Sequence, residues 1–540
     1  MLPAVMMVIG ALGAVPGADR PEVVGPSAAR PAAVAPLQLA QATGSDAVER
    51  PARMPGTEAL EVVPGYGTAT DRLAAEITKQ FAKQKVLLVW VLDQSESMED
   101  DREEIITRIE NIYEEVGKAT PAQADGLLTG VVSYGAGTFN HTPKPTAKPQ
   151  EIMGAIKAVP NDASGQEMQC DAIALAIEKF GPTAEAANRK LMLVLVTDES
   201  GDFNTNIAQL EATIAKAKEA KCSVHVLGRE AIFGYPYAHT SWVHKETRTT
   251  HWLRIDRGPE TAQPETLQIN GFHRRNDAMP SGFGPYEQSR MAKETGGIFF
   301  LLPSPEVRLV GRDARQYDVE ALRPYAPDLS SRAAYMAERD KSPLRKAVFK
   351  VISDLNPFQQ GSKMSRCEVS TGAFPIDRAQ FAASASVQMK KAEDLIRALQ
   401  EAQVELEAVA GERERETSPR WRANYDLIYA QVVSYQVRLQ EYGWYLAEFT
   451  RNPKVVKNIL GPARPTNGWY VGVIPRLLKP EATQEQRDKA DLLFRGIQKD
   501  YPSTPWAARA KDEINRGYGI ELREGHDDAR GRAGIMVPKL

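Results

Sequence analysis

The 540-residue sequence lacks the patterns of several common protein classes. It contains only three cysteines, Cys170, Cys222 and Cys367, which lie far apart and without metal-ligand spacing. Both a disulfide scaffold and a zinc ribbon are therefore excluded. The formal net charge of −3 is close to neutral for this length, so the composition indicates neither a nucleic-acid nor an anionic-membrane partner. No stretch after the amino terminus is long and apolar enough for a transmembrane helix.

Sequence signatures of common catalytic sites are missing as well. Ser133 lies in VVSYGAG, which lacks the G-x-S-x-G frame of a nucleophile elbow. The glycine-rich segment GFGPYEQS lacks the flanking strand that a phosphate-binding loop requires. We therefore predict that the protein is not an enzyme.

The amino terminus predicts export. Residues 1–18 read MLPAVMMVIGALGAVPGA, an apolar run that ends in small residues as a signal peptide does. No Lys or Arg precedes the run, so the alternatives are an upstream start or a segment that is not a signal. Residues 19–67 are rich in Pro, Ala, Gly and Val, a composition that predicts a disordered linker. The expected location is secreted, periplasmic or at the cell envelope.

The most informative stretch is VLLVWVLDQSESM, residues 86–98. Its apolar, β-branched beginning predicts a buried strand, and the acidic run EDDREE that follows suits the first turn of a helix. Asp93, Ser95 and Ser97 then fall at the carboxyl end of the strand, where open α/β sheets bind ligands. Carboxylate and hydroxyl oxygens are hard donors that suit Mg²⁺, Mn²⁺ or Ca²⁺.

This stretch resembles the von Willebrand factor type A domain, whose Asp-x-Ser-x-Ser signature is the first part of a metal-ion-dependent adhesion site. Residues 71–305 alternate strand and helix patterns, which predicts an α/β fold with a doubly wound, mostly parallel, Rossmann-like sheet. The resemblance implies a divalent cation as cofactor. It also implies a protein partner at the carboxyl edge of the sheet.

The resemblance implies two further site residues. Asp198, in LVLVTDES, stands where the family has an Asp at a strand end, whereas Glu167 stands where the family has a Thr. The additional carboxylate leaves two alternatives open. A hard cation binds more tightly because ligand charge increases, or Glu167 takes the position of a partner's carboxylate and closes the site.

Residues 229–287 interrupt the alternating pattern and are interpreted as an insertion. Its aromatic residues, Tyr235, Tyr237, Trp242 and Trp252, are candidates for a partner-binding surface or for a small core of the insertion itself. The insertion also carries four histidines, but their spacing matches no known zinc pattern. These histidines are His239, His244, His251 and His273.

The remaining sequence predicts an all-α region built on a helical hairpin. A helical connector is expected at residues 306–375 and an antiparallel hairpin of coiled-coil type at 376–450. A helical pair that resembles a tetratricopeptide repeat is expected at 451–522, followed by a disordered tail at 523–540.

Together with these patterns, the resemblance implies a non-enzymatic, adhesion-type protein, in which we expect the helical half to serve as a scaffold. Two alternatives come from different classes. An intracellular assembly factor that works with an ATPase would use the same motif. A zinc hydrolase built on the insertion is less favoured because the histidine spacing is irregular.

Overall fold

The computed structural model describes residues 60–119, 126–200, 203–234, 238–247, 249–275, 279–303, 317–462, 464–527 and 535. The predicted signal peptide lies outside these residues, as do residues 19–59 of the predicted linker. Among the described helices, none has the length and apolar character needed to cross a bilayer.

A seven-stranded sheet forms the centre of the amino-terminal half, with the spatial order β1-β9-β6-β5-β2-β3-β4. Neighbouring strands are parallel except for β4, which runs antiparallel to β3. The described strands are β1 (Leu60–Val62), β2 (Val86–Asp93), β3 (Leu127–Tyr134), β4 (Thr138–Asn140), β5 (Lys190–Val196), β6 (Ser223–Gly228), β7 (Ala238–Val243), β8 (Thr250–Ile255), β9 (Phe299–Leu301), β10 (Gly468–Ile474) and β11 (Gly519–Gly525). The mostly parallel sheet predicted from the sequence is confirmed.

Helices cover both faces of the sheet and make up most of the carboxyl half. Strand β2 is buried along its whole length, which requires apolar cover on both sides. The described helices are α1 (Tyr66–Phe81), α2 (Glu99–Ala119), α3 (Pro149–Lys157), α4 (Gln169–Ala186), α5 (Phe203–Glu219), α6 (Tyr286–Thr295), α7 (Val319–Leu322), α8 (Arg332–Arg339), α9 (Pro343–Asp354), α10 (Met364–Cys367), α11 (Arg378–Ala408), α12 (Ala410–Arg413), α13 (Pro419–Arg451), α14 (Pro480–Asp500) and α15 (Pro505–Arg516).

The predicted linker ends earlier than expected, because β1 lies within it. Leu60 pairs with Phe299 of β9 and is buried, so the chain joins the sheet before α1 begins. Glu61 is also buried and accepts a hydrogen bond of 2.8 Å from Arg72 of α1. The prediction of disorder up to residue 67 is therefore wrong for residues 60–67.

The insertion is ordered where it is described, in contrast to its irregular sequence pattern. Strands β7 and β8 form a separate antiparallel hairpin, and the following segment lies buried between the sheet and the helical half. Arg420 of α13 forms ion pairs with Glu260 at 2.8 Å and with Glu265 at 2.5 Å. All three side chains are buried, so the insertion joins the two halves of the molecule.

In the carboxyl half, α11 and α13 lie side by side and antiparallel. The Tyr425 hydroxyl of α13 donates to the Leu406 carbonyl of α11 at 2.9 Å. Two predictions for this half are corrected, because β10 interrupts the expected helical region 451–522 and β11 extends into the expected tail. Their pairing joins residues that are distant in sequence, which local periodicity does not reveal.

Arg438 of α13 holds α15 through a buried ion pair of 2.6 Å with Glu513.

Candidate metal-binding site

The parallel register of β2 and β5 places the ends of both strands at one edge of the sheet. Leu92 of β2 pairs with Val196 of β5, so Asp93 lies beside Thr197, and Asp198 follows directly. Asp93 and Asp198 are both buried. The sheet therefore brings together two carboxylates that are about a hundred residues apart in sequence.

The loop after β2 holds the Asp93 carboxylate in a fixed position. Asp93 Oδ1 accepts a hydrogen bond of 2.7 Å from the Ser95 amide, and Oδ2 accepts one of 2.9 Å from the Thr197 hydroxyl. The hydroxyl oxygens of Ser95 and Ser97 lie 3.1 Å apart. The three residues of the Asp-x-Ser-x-Ser signature thus present their oxygen atoms close together.

Glu167 reaches the same site from the loop before α4. That loop is anchored where the Asp162 amide donates to the Gln94 carbonyl at 2.8 Å. Glu167 is buried there, and its carboxyl group interacts with that of Asp93. Burial and the negative charge of Asp93 hold the pKa of Glu167 well above its usual range, while burial and Asp198 raise the pKa of Asp93 to about 6. Two buried carboxyl groups in contact require a shared proton or a cation between them.

The loop after β5 lies under the insertion. Asp198 Oδ1 is buried and accepts no hydrogen bond from the described residues, whereas Oδ2 lies 4.0 Å from the Arg257 guanidinium of the insertion. Glu199 accepts a hydrogen bond of 2.9 Å from the Asp256 amide. Burial, reinforced by Asp198, also holds the pKa of Glu199 well above its usual range. The insertion therefore forms the cover over this side of the site.

Two residues that support the site were missed by sequence reasoning. Arg102, in the first turn of α2, donates hydrogen bonds to the carbonyls of Asp93 at 2.8 Å and Ser95 at 3.2 Å. It thereby fixes the loop between β2 and α2. Thr197 contributes the hydroxyl that binds Asp93. The only signal in the sequence was that Arg102 is the single basic residue in the acidic run that opens the helix.

The residue types set limits on the ligand. Within the described part of the chain, no three Asp, Glu, His or Cys side chains form a group that could hold a metal ion by themselves. A cation at this edge of the sheet would therefore need further oxygen ligands, and the hydroxyls of Ser95 and Ser97 lie beside the carboxylates. The four histidines of the insertion lie in two different places. His273 makes a hydrogen bond of 3.2 Å with Thr371, whereas the other three lie on or beside the β7–β8 hairpin.

The predicted partner-binding aromatics are only partly described. Tyr235 and Tyr237 lie outside the described residues, and Trp252 is described only by its backbone in β8. Trp242 of β7 is half-buried, and its ring centroid lies 5.6 Å from that of His244 and 5.5 Å from that of His251. A partner surface at these residues stays a prediction.

Comparison with known proteins adds an independent finding. The sequence profile of the von Willebrand factor type A domain matches residues 88–235. This range begins in β2 and includes the loops of Asp93, Glu167 and Asp198. No curated protein matches the chain.

Several solved structures are similar to part of the chain. Proximal thread matrix protein 1 from the mussel byssus, with a zinc-occupied MIDAS motif, is 18% identical over 27% of this chain and 36% of that chain, with a TM-score of 0.23. The pilus adhesin SpaC from Lactobacillus rhamnosus GG is 13% identical over 49% and 30%, with a TM-score of 0.22. The type V pili tip protein Mfa5 from Porphyromonas gingivalis is 21% identical over 22% and 20%, with a TM-score of 0.17. The chain thus spans little more than a third of the first of these structures and less of the other two.

Proposed function

Because the chain contains a von Willebrand factor type A domain, we propose that it is a non-enzymatic, adhesion-type protein that binds a protein partner with the help of a divalent cation. The observation that carries this proposal is the convergence of Asp93, Ser95, Glu167 and Asp198 at the carboxyl edge of β2 and β5. The predicted signal peptide supports a location outside the cytoplasm, where such a partner would be met.

The residues present fit a hard cation. A bound cation would stabilise the contact between the Asp93 and Glu167 carboxyl groups as well as a proton does. In addition, Asp198 Oδ1 accepts no hydrogen bond from the described residues and could serve as a metal ligand. Asp93, Ser95, Ser97, Glu167 and Asp198 would hold Mg²⁺, Mn²⁺ or Ca²⁺. The bound cation would supply the positive charge that holds these carboxylates together, including the Glu167 carboxylate that takes the position of a partner's.

Access to the site depends on the cover formed by the insertion. Asp93 is 1% exposed, Ser95 4% and Asp198 6%, so these three residues alone leave little surface for a partner. Glu167, at 8% exposure, already brings a carboxyl group to Asp93. We therefore favour the alternative in which Glu167 closes the site and the partner contacts the surrounding edge of the sheet.

Calorimetric titration of the whole chain with Mn²⁺ tests the cation site. We expect saturable binding by the wild type and at least about a tenfold loss of affinity when Ser95 and Ser97 are both replaced by Ala, because two oxygen donors are removed. The matched control replaces Ser384 and Ser386 of α11 by Ala, which has the same spacing at a position far from the site in sequence. Absence of heat from folded wild type with Mn²⁺, Mg²⁺ and Ca²⁺ would refute the site.

A further inference from the structure

The loop that follows α13 combines positive charge with exposed apolar side chains. We call residues 451–462 and 464–466, which begin at the last residue of α13, the basic-apolar loop. It contains Arg451, Lys454, Lys457 and Arg464 and no acidic residue. It also contains three strongly exposed apolar residues: Val455 is 81% exposed, Ile459 67% and Leu460 41%. The near-neutral net charge of the whole chain therefore conceals a local cationic surface.

The basic-apolar loop is folded by specific hydrogen bonds rather than merely extended into solvent. The Glu524 carboxylate of β11 accepts hydrogen bonds from the Lys457 amide at 2.6 Å and from the Thr466 hydroxyl at 2.6 Å. Asn458 has a left-handed φ of 52°, and its side chain accepts from the Thr466 amide at 3.1 Å. The Glu524 carboxylate is thus bound by amides and a hydroxyl rather than by a lysine ammonium, and Lys454 Nζ lies 5.8 Å from the ring centroid of Tyr445.

The same fold separates the apolar side chains by direction. Val456 is partly buried and packs against the main core, whereas its neighbour Val455 faces solvent. Ile459 and Leu460, on the other side of the turn, also face solvent. The loop thus holds apolar tips away from the protein surface although burial on that surface would have been favourable.

We propose that the basic-apolar loop is a docking site for the surface of an anionic phospholipid membrane. Apolar tips enter the boundary between headgroups and acyl chains, while neighbouring Lys and Arg side chains contact lipid phosphates. A protein partner fits less well, because interface hot spots are rich in Trp, Tyr and Arg and poor in Val and Leu. Charge complementarity and the choice of apolar residues therefore both favour lipid.

The position of the loop fits this role. Arg420, which binds the insertion, and Arg451, which begins the loop, are at opposite ends of α13. At 1.5 Å per residue, the helix separates them by about 47 Å along its axis. The end of the insertion that binds Arg420 through Glu260 and Glu265 therefore lies about 47 Å along this axis from the proposed point of membrane contact.

Co-sedimentation of the whole chain with vesicles tests the proposal. We expect binding to vesicles of phosphatidylcholine mixed with phosphatidylglycerol and little binding to phosphatidylcholine alone. Replacing Lys454 and Lys457 by Gln should weaken binding about fivefold for each lysine removed. Replacing Val455, Ile459 and Leu460 by Ser should weaken it by about tenfold or more, because the apolar tips no longer insert.

The matched control replaces Val404 and Leu492 by Ser. These residues are 66% and 72% exposed on α11 and α14, outside the basic-apolar loop. Unchanged binding of this variant, with unchanged thermal unfolding of all variants, would support the assignment. Equal binding to neutral and anionic vesicles, an equal loss in the control variant, or no vesicle binding would overturn it. Binding to soluble polyglutamate without vesicle binding would likewise overturn it and point to an acidic protein.

Discussion

Arg257 places a positive charge next to the candidate cation site, so its removal should change cation affinity. The guanidinium lies 4.0 Å from Asp198 Oδ2, and Arg257 is 1% exposed. A bound cation would have to share Asp198 with this fixed charge. We therefore expect the Arg257→Gln variant to bind Mn²⁺ more tightly than the wild type does.

The distance sets the size of the effect. Two unit charges 4.0 Å apart attract each other by about 4 kcal/mol at an effective dielectric constant of 20. If the Arg257 charge weakens cation binding by a third of this energy, removing the charge raises the cation affinity about tenfold. Without metal, the variant leaves Asp198 buried beside no guanidinium, so the free energy of unfolding should fall by about 3 kcal/mol. Added Mn²⁺ should restore much of this loss.

Titration calorimetry measures the affinity, and thermal unfolding with chelator or Mn²⁺ measures the stability. The matched control is Arg254→Gln, three residues earlier, because Arg254 is exposed and pairs with Asp256 at 3.0 Å instead of with Asp198. We expect the control to leave Mn²⁺ affinity within about twofold of wild type. Equal or weaker Mn²⁺ binding by Arg257→Gln would refute the reasoning. An equal gain in Arg254→Gln would show that only overall charge matters.

Three other substitutions test the site and the joining of the two halves. Glu167→Thr should weaken Mn²⁺ binding about tenfold in the same titration, because one anionic donor is lost; unchanged affinity would show that Glu167 is no ligand. Arg420→Gln should lower the free energy of unfolding in urea by about 3–5 kcal/mol, because it leaves two buried carboxylates unpaired. Its control, Arg397→Gln, removes an exposed ion pair with Asp394 and should cost less than about 1 kcal/mol, and equal costs would contradict the argument. For Glu513, burial alone would raise the pKa, but the guanidinium groups of Arg438, Arg516 and Arg509 together outweigh burial and hold the pKa at about 2, below its usual value of 4.5. The carboxylate therefore contributes about 3 kcal/mol above pH 4.5, and this contribution is lost as the pH falls towards 2. The stability difference between wild type and Glu513→Gln should shrink across that pH range, and a constant difference would show that the ion pair is not its source.

The sequence was sufficient to predict the central sheet because its strands carry strong local signals. Strand β2 is a continuous apolar run, and β5 is another, as expected for strands covered on both faces. Parallel strands end at the same edge of the sheet, and the pairing of β2 with β5 then brings Asp93 and Asp198 together. The buried strands follow from local pattern, whereas the place of Asp198 in the candidate site was predicted from the resemblance to the type A family.

The remaining features depend on contacts between distant residues. Strand β1 has only three residues, which is too short for a recognisable alternation. The buried segment of the insertion is rich in polar and charged residues, and Glu265 is stabilised by Arg420, 155 positions later. The sequence of this segment resembles an exposed loop, because the Arg420 guanidinium that permits its burial is supplied from another part of the chain.

The contacts between the two halves of the molecule give the helical region a second role besides that of a scaffold, because it supports the candidate site. One continuous core includes Val89 of β2, Leu267 of the insertion and Leu439 of α13. Cutting the chain after residue 305 would remove Arg420 and leave Glu260 and Glu265 without their ion pairs. Arg257, which lies beside Asp198, is only three residues before Glu260. The helical half therefore holds the cover of the candidate site in place, and cation binding must be measured on the whole chain.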